Sequence, residues 1–168
     1  MRLLLIRHAI ALERNEFSRT GKDDALRPLS DDGRKKMKLA SRGLRELVPD
    51  IDLLATSPLT RAAQTGAILD SVYGGLKEVE IAELSPGASL QAFLAWLKRQ
   101  KGDTVAVVGH EPWLSRLACR LLTGTEGSFL AFRKGGAALL ELPGAPGPGI
   151  ARLVWMLTPS QLRSLGTR

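Results

Sequence analysis

Two runs in this chain, LLLI at residues 3–6 and VAVV at 105–108, are apolar at every position and too short for a helix of ordinary length. A strand sends successive side chains to opposite faces, so an unbroken apolar strand must be covered on both. Such runs are the mark of strands buried inside parallel sheets rather than of sheets with one wet face. The rest of the chain has to supply the cover.

It does so in alternation. After a strand over residues 2–7, residues 8–29 carry no sustained period and contain Gly21, Asp23, Asp24 and Pro28, which predicts a long loop. Ser30, followed by Asp31 and Asp32, is a good N-cap with acidic first-turn residues and opens a helix to about Val48. A strand at 52–57 leads to a helix from Pro58 to about Val72, then a brief strand near Val79–Ala82 and a turn at LSPGAS. Ser89 caps a helix with Leu90, Phe93, Leu94 and Leu97 at helical spacing. The β-branched strand at 103–110 is followed by a helix carrying Leu114, Leu117, Ala118, Leu121 and Leu122. The last third reads as three strands, SFLAFR (128–133), AALLEL (137–142) and ARLVWML (151–157), with PGAPGPG as a tight connection between the last two. One α/β domain spanning 1–168 with a mainly parallel core sheet is expected.

Composition narrows the function. The 168 residues are 44% apolar and 24% charged, an ordinary globular balance that argues against disorder. A single cysteine excludes a disulfide framework and a cysteine-rich zinc site, and two histidines leave a transition metal dependent on carboxylates, so no metal and no cofactor are expected. No apolar run approaches a membrane span, and the N-terminal run is cut by Arg7 and lacks a small-residue cleavage site. A cytoplasmic protein with no membrane partner is the expectation. The net charge of +7 favours anionic partners, yet aromatics at 5% offer little for base stacking. Much of the charge lies on one helix, where Arg34, Lys35, Lys38, Arg42 and Arg45 oppose the apolar stripe of Met37, Ala40, Leu44, Leu47 and Val48. A solvated face and a nucleic-acid patch both fit it; the solvated face is preferred, and no nucleic acid is expected.

In open α/β sheets ligands sit beyond the carboxyl ends of the strands. Three strand exits here carry matching polar groups: Arg7-His8, Arg61 within TSPLTRAAQT, and Gly109-His110 within VGHEP. Both histidines of the chain therefore fall where a site should be. Arginine binds phosphate oxygens through planar, multiple hydrogen bonds and keeps its charge when partly buried. A neutral imidazole can attack phosphorus when its other nitrogen donates to a fixed carbonyl. Guanidinium groups and a second histidine can balance charge on the transferring group, with no metal required.

RHA after the first strand, SPLTRAAQT after the second and VGHEP after the β-branched strand resemble the signature blocks of the histidine phosphatase superfamily, the phosphoglycerate mutase-like group. RPLSDDG (27–33), FRKGGAALLEL (132–142) and the compact length are similar to its small phosphohistidine phosphatase (SixA-type) branch. The resemblance covers nearly the whole chain. It implies a three-layer α/β/α sandwich with a mainly parallel central sheet. It also implies that His8 is a nucleophile forming a phosphohistidine intermediate, that Arg7 and Arg61 clamp the phosphoryl group, and that His110 bonds to it in the transition state. Arg27 is implied as a further phosphate ligand, against the plainer reading of a charged residue capping a loop before Pro28.

The superfamily usually has glycine where Ala9 stands, so the turn after His8 is expected to differ in shape. Arg14 stands where the mutase branch has asparagine, which weakens a mutase reading. Alkyl phosphate hydrolysis needs a proton donor, and Glu83 and Glu111 are the candidates. Glu111 also has a structural reading at a helix N-terminus, and Glu83 one as a solvated residue before a turn. Phosphohistidine, whose imidazole departs more readily, suits a site without a dedicated acid. The leading expectation is thus a metal-independent phosphatase acting on a phosphohistidine-containing signalling protein, with phosphate or a phosphate-mimicking anion as pocket ligand. The alternatives are a phosphatase of small phosphoesters using Glu83 or Glu111, and a non-catalytic phosphate-binding module.

Overall fold

The computed structural model describes residues 1–167. Six strands form one sheet: β1 (Arg2–Arg7), β2 (Leu53–Thr56), β3 (Glu78–Glu80), β4 (Thr104–Gly109), β5 (Ala137–Glu141) and β6 (Arg152–Leu157), in the order β3-β2-β4-β1-β5-β6. The pairs β3/β2, β2/β4 and β4/β1 are parallel, while β5 runs antiparallel to both of its neighbours. The helices are α1 (Arg14–Ser18), α2 (Asp31–Leu47), α3 (Thr60–Tyr73), α4 (Leu90–Lys98), α5 (Trp113–Thr123) and α6 (Pro159–Leu165).

The two fully apolar strands do what their pattern demands. Leu3, Leu5, Val105 and Val107 pack on one face with Phe93 and Leu97 of α4 and Trp113, Leu114 and Leu117 of α5. Leu4, Ile6, Ala106 and Val108 pack on the other with Met37 and Leu44 of α2, Leu69 of α3 and Leu162 of α6. Fully burying each leucine, isoleucine, valine, phenylalanine or methionine among them stabilises the fold by about 1.5–3 kcal/mol. The result is the expected three-layer α/β/α sandwich with a mainly parallel sheet.

Register then aligns the strand exits. Arg7 pairs with Gly109 and Thr56 with Val108. One step further, the His8 N–H donates to the Gly109 carbonyl (3.1 Å) and the Ser57 N–H to the Val108 carbonyl (3.1 Å), so the ends of β1, β4 and β2 lie abreast. The start of α2 is pressed onto the turn that follows His8. Ser30 caps the helix through Gly33 N–H, and its own N–H donates to the Ile10 carbonyl at 3.0 Å. A Cβ at Gly33 would collide with that same carbonyl, so glycine is required by the close approach.

Several sequence expectations need correction. SFLAFR is not a strand: residues 128–133 are irregular. The reason is visible at Phe132, whose amide donates to Glu111 Oε1 (2.7 Å) and whose carbonyl accepts from Arg7 Nη1 (2.6 Å). Backbone groups that a ladder would use are committed to side chains. Residues 8–29 are more ordered than a plain loop, holding α1, a single 3₁₀ turn at Asp24–Leu26 and an antiparallel bridge between Ala11 and Leu29. The third strand covers 78–80 rather than 79–82, and α3 begins at Thr60 rather than Pro58. Helix α6 was not anticipated, although Thr158-Pro159-Ser160-Gln161 forms a complete capping box at its start. Among the described residues no helix is long and apolar enough to cross a membrane.

Candidate active site

A cavity of about 290 Å³ opens over the aligned strand ends, lined by Arg7, His8, Arg27, Arg61, His110 and Glu111 together with Glu13, Arg14, Pro86 and Lys134. The two imidazoles are 5% and 3% exposed, with ring centroids 5.1 Å apart. His8 Nδ1 lies 2.7 Å from the Ala9 carbonyl. A carbonyl only accepts, so Nδ1 carries the proton and Nε2 keeps its lone pair. Burial lowers the His8 pKa to about 3, helped by the neighbouring His110, Arg61 and Arg7 and partly opposed by the Ala9 hydrogen bond. His8 is therefore a neutral, tautomer-fixed base at ordinary pH.

Ala9 sits in a backbone conformation that needs no positive φ. Its N–H donates to Thr65 Oγ1 (3.1 Å), and the Thr65 hydroxyl donates to the Arg61 carbonyl (2.7 Å). This relay ties the turn after β1 to the first turn of α3, fixing His8 relative to Arg61. His110 Nε2 lies 2.8 Å from Ser57 Oγ, a direct product of the β2/β4 register. Burial, with Arg61 and Arg7 adding to it, lowers the His110 pKa to about 4, so this ring is also neutral.

The arginines are each fastened by one edge. Arg7 Nη1 donates to the Phe132 carbonyl, and Arg61 Nη1 to the Asp24 carbonyl at 3.0 Å. Among the described residues no protein group bonds the Nε/Nη2 edge of either, and both Nε atoms are buried. Arg27, 7% exposed, donates through Nε to Asp24 Oδ1 (2.8 Å) and through Nη1 to the Leu12 carbonyl (2.7 Å). Asp24 also lies 3.3 Å from Arg61 Nη1 and 3.6 Å from Arg14 Nε. The lining thus carries five cationic side chains against the two carboxylates of Glu13 and Glu111.

The two acid candidates separate. Glu83 stands in the short 3₁₀ turn Ala82–Leu84 and does not line the cavity. Glu111 does, but its Oε2 accepts from the Ser115 N–H (3.2 Å) and hydroxyl (2.7 Å), and its Oε1 from Phe132 N–H. Both oxygens hold structure together. Sequence reasoning missed Asp24, Ser57, Glu13 and Lys134. Asp24 had a signal, since an acid three residues before Arg27 within DALR can pair with it; Lys134 had none. Among the described residues no group of three or more His, Cys, Asp or Glu side chains could hold a metal ion.

The profile of the histidine phosphatase superfamily (branch 1) matches residues 3–84. An uncharacterised protein of the cyanobacterium Picosynechococcus sp. is 36% identical over 139 residues, covering 81% of this chain and 82% of that protein. The fold is similar to that of the protein histidine phosphatase SixA solved in complex with tungstate, with a TM-score of 0.80, 23% identity and coverage of 96% of this chain and 99% of that one. It is also similar to a SixA structure from Nakamurella multipartitia, with a TM-score of 0.75, 26% identity and coverage of 94% and 95%.

Proposed function

This chain belongs to the histidine phosphatase superfamily, in its SixA-like branch, and on that premise we propose that it removes phosphate from a phosphohistidine-containing protein through a phosphoenzyme on His8. The observation that carries the reading is the neutral His8 ring, with Nδ1–H pinned to the Ala9 carbonyl, Nε2 left as a lone pair and two guanidinium edges beside it. A nucleophile needs that lone pair, and a fixed orientation spares it the entropic cost of finding one.

Nε2 of His8 attacks phosphorus while the P–N bond to the substrate imidazole breaks. The departing imidazole takes a proton from solvent, and water then cleaves the P–N bond of phospho-His8, leaving the neutral ring, inorganic phosphate and a proton returned to solvent. Arg7 and Arg61 present their Nε/Nη2 edges to the equatorial oxygens, which spread charge during transfer. Arg27 and His110 complete the clamp. Arg7 Nε, Arg61 Nε and His110 Nδ1 are buried polar atoms with no protein partner among the described residues, a deficit that a tetrahedral oxyanion makes good.

The acid question supports phosphohistidine over alkyl phosphates. Glu83 lies off the cavity and Glu111 is occupied at both oxygens, so a poor leaving group would find no ready donor. Turnover of a phosphohistidine protein compared with a panel of small phosphoesters tests this. The reading expects kcat/KM on the phosphohistidine protein to exceed every ester; an ester hydrolysed more efficiently reverses it.

A further inference from the structure

Among the described residues Asp24 is the one acidic side chain that pairs with several of the cavity's arginines, yet it does not line the cavity. It faces a separate surface hollow with Arg14, Phe17, Ser18 and Lys22. Its carboxylate meets Arg27 at 2.8 Å, Arg61 at 3.3 Å and Arg14 at 3.6 Å, and its backbone carbonyl takes a further bond from Arg61 Nη1. The Asp24 position is itself fixed, because it opens a 3₁₀ turn capped by Asp23 Oδ1 on Ala25 N–H (2.8 Å).

We propose that Asp24 is the positioning residue of the arginine clamp, holding Arg27 and Arg61 from behind the cavity wall with their remaining donors directed at a phosphoryl group. The proposal rests on the reading of the cavity as a phosphoryl site. Two facts separate positioning from competition. A carboxylate that competed for the phosphate seat would line the cavity, and Asp24 does not. Each arginine also meets Asp24 with one portion of its guanidinium only: Arg61 keeps Nε and Nη2, and Arg27 keeps Nη2. Converging guanidinium groups repel one another, and a carboxylate among them offsets that repulsion while a fork of donors locks onto it.

The sign of the effect makes the proposal testable. Removing a negative charge beside an anion site should, by charge alone, tighten anion binding. Loss of positioning should weaken it. Binding of inorganic phosphate by calorimetry and turnover of phosphoramidate are compared in wild type, Asp24→Asn and Asp24→Glu, with melting temperatures alongside. In Asp24→Asn we expect the phosphate Kd and the KM to rise roughly tenfold or more, the scale of a lost charge-assisted hydrogen bond, with kcat within about threefold. Asp24→Glu should recover part of the affinity. Tighter phosphate binding in Asp24→Asn overturns the proposal, as does a lowered melting temperature with unchanged Kd. A wild-type protein that binds no phosphate overturns the reading of the cavity and this proposal with it, whereas equal binding by wild type and Asp24→Asn overturns the role of Asp24 alone.

Discussion

His8, His110 and Ser57 stand at the ends of adjacent strands whose register sets them side by side, whereas Arg27 and Lys134 stand on irregular segments that reach the cavity from either flank. The strand-borne groups are held by ladders and by packing on both faces of the sheet. The loop-borne groups depend on individual bonds. On one flank a partly exposed Asp24 gathers Arg27, Arg61 and Arg14. On the other, Glu111 and Arg7 hold the two backbone groups of Phe132, and Gly135 N–H donates to the carbonyls of Arg7 and His8 at 3.1 Å each. Rigid placement thus goes to the two imidazoles, and single contacts serve the groups that surround them. Opening either flank should alter affinity before it alters chemistry.

The largest expected effect separates two arginines. Arg61 stands in the first turn of α3, 4% exposed, and has the whole Nε/Nη2 edge left for a ligand. Arg27 has already used Nε and Nη1 on Asp24 and Leu12. Losing two charge-assisted hydrogen bonds rather than one should cost about 10²-fold or more in kcat/KM for Arg61→Ala and about tenfold for Arg27→Ala. Steady-state kinetics on phosphoramidate decide it, and equal losses would break the distinction between the two halves of the site.

A smaller effect sharpens the same comparison on the other flank. Glu111→Gln keeps one acceptor where the carboxylate now serves three donors, so we expect a loss of about 1–2 kcal/mol of stability, seen as a fall of a few degrees in melting temperature. Turnover on phosphohistidine should stay within about threefold of wild type if no buried acid drives the step. Glu83→Gln should leave both quantities unchanged. A collapse of kcat with unaltered stability in either variant would identify the missing proton donor.

How much could be read from the sequence follows the same division. The sheet and the polar groups gathered at its exits were legible because strands announce themselves as unbroken apolar runs and a site in an open α/β sheet gathers at their exits. Arg7, His8, Arg61 and His110 were found in this way. Strand order was not legible, and it is the β2-β4-β1 adjacency that brings His110 against both Ser57 and His8. The loop-borne contacts left almost no periodic trace. Glu111 reaches Phe132 across 21 residues, and the segment 128–133 was misread as a strand because its apolar and aromatic composition resembles one, although Phe132 alone is buried and its backbone is held by side chains. Asp24 bonds Arg61 across 37 residues, a pairing that only the fold can make. The glycine-to-alanine change after His8 proved compatible with the turn, since Ala9 uses its carbonyl and amide rather than a left-handed backbone.

The central claim is that His8 Nε2 is the nucleophile. It is tested most directly by rapid quench with a ³²P-labelled phosphohistidine protein, followed by mapping of the labelled peptide. The account predicts acid-labile, base-stable label on the peptide containing His8, attached at Nε2, and none in a folded His8→Ala protein. Turnover by the wild type with no label on His8, or label that persists in His8→Ala, would contradict it.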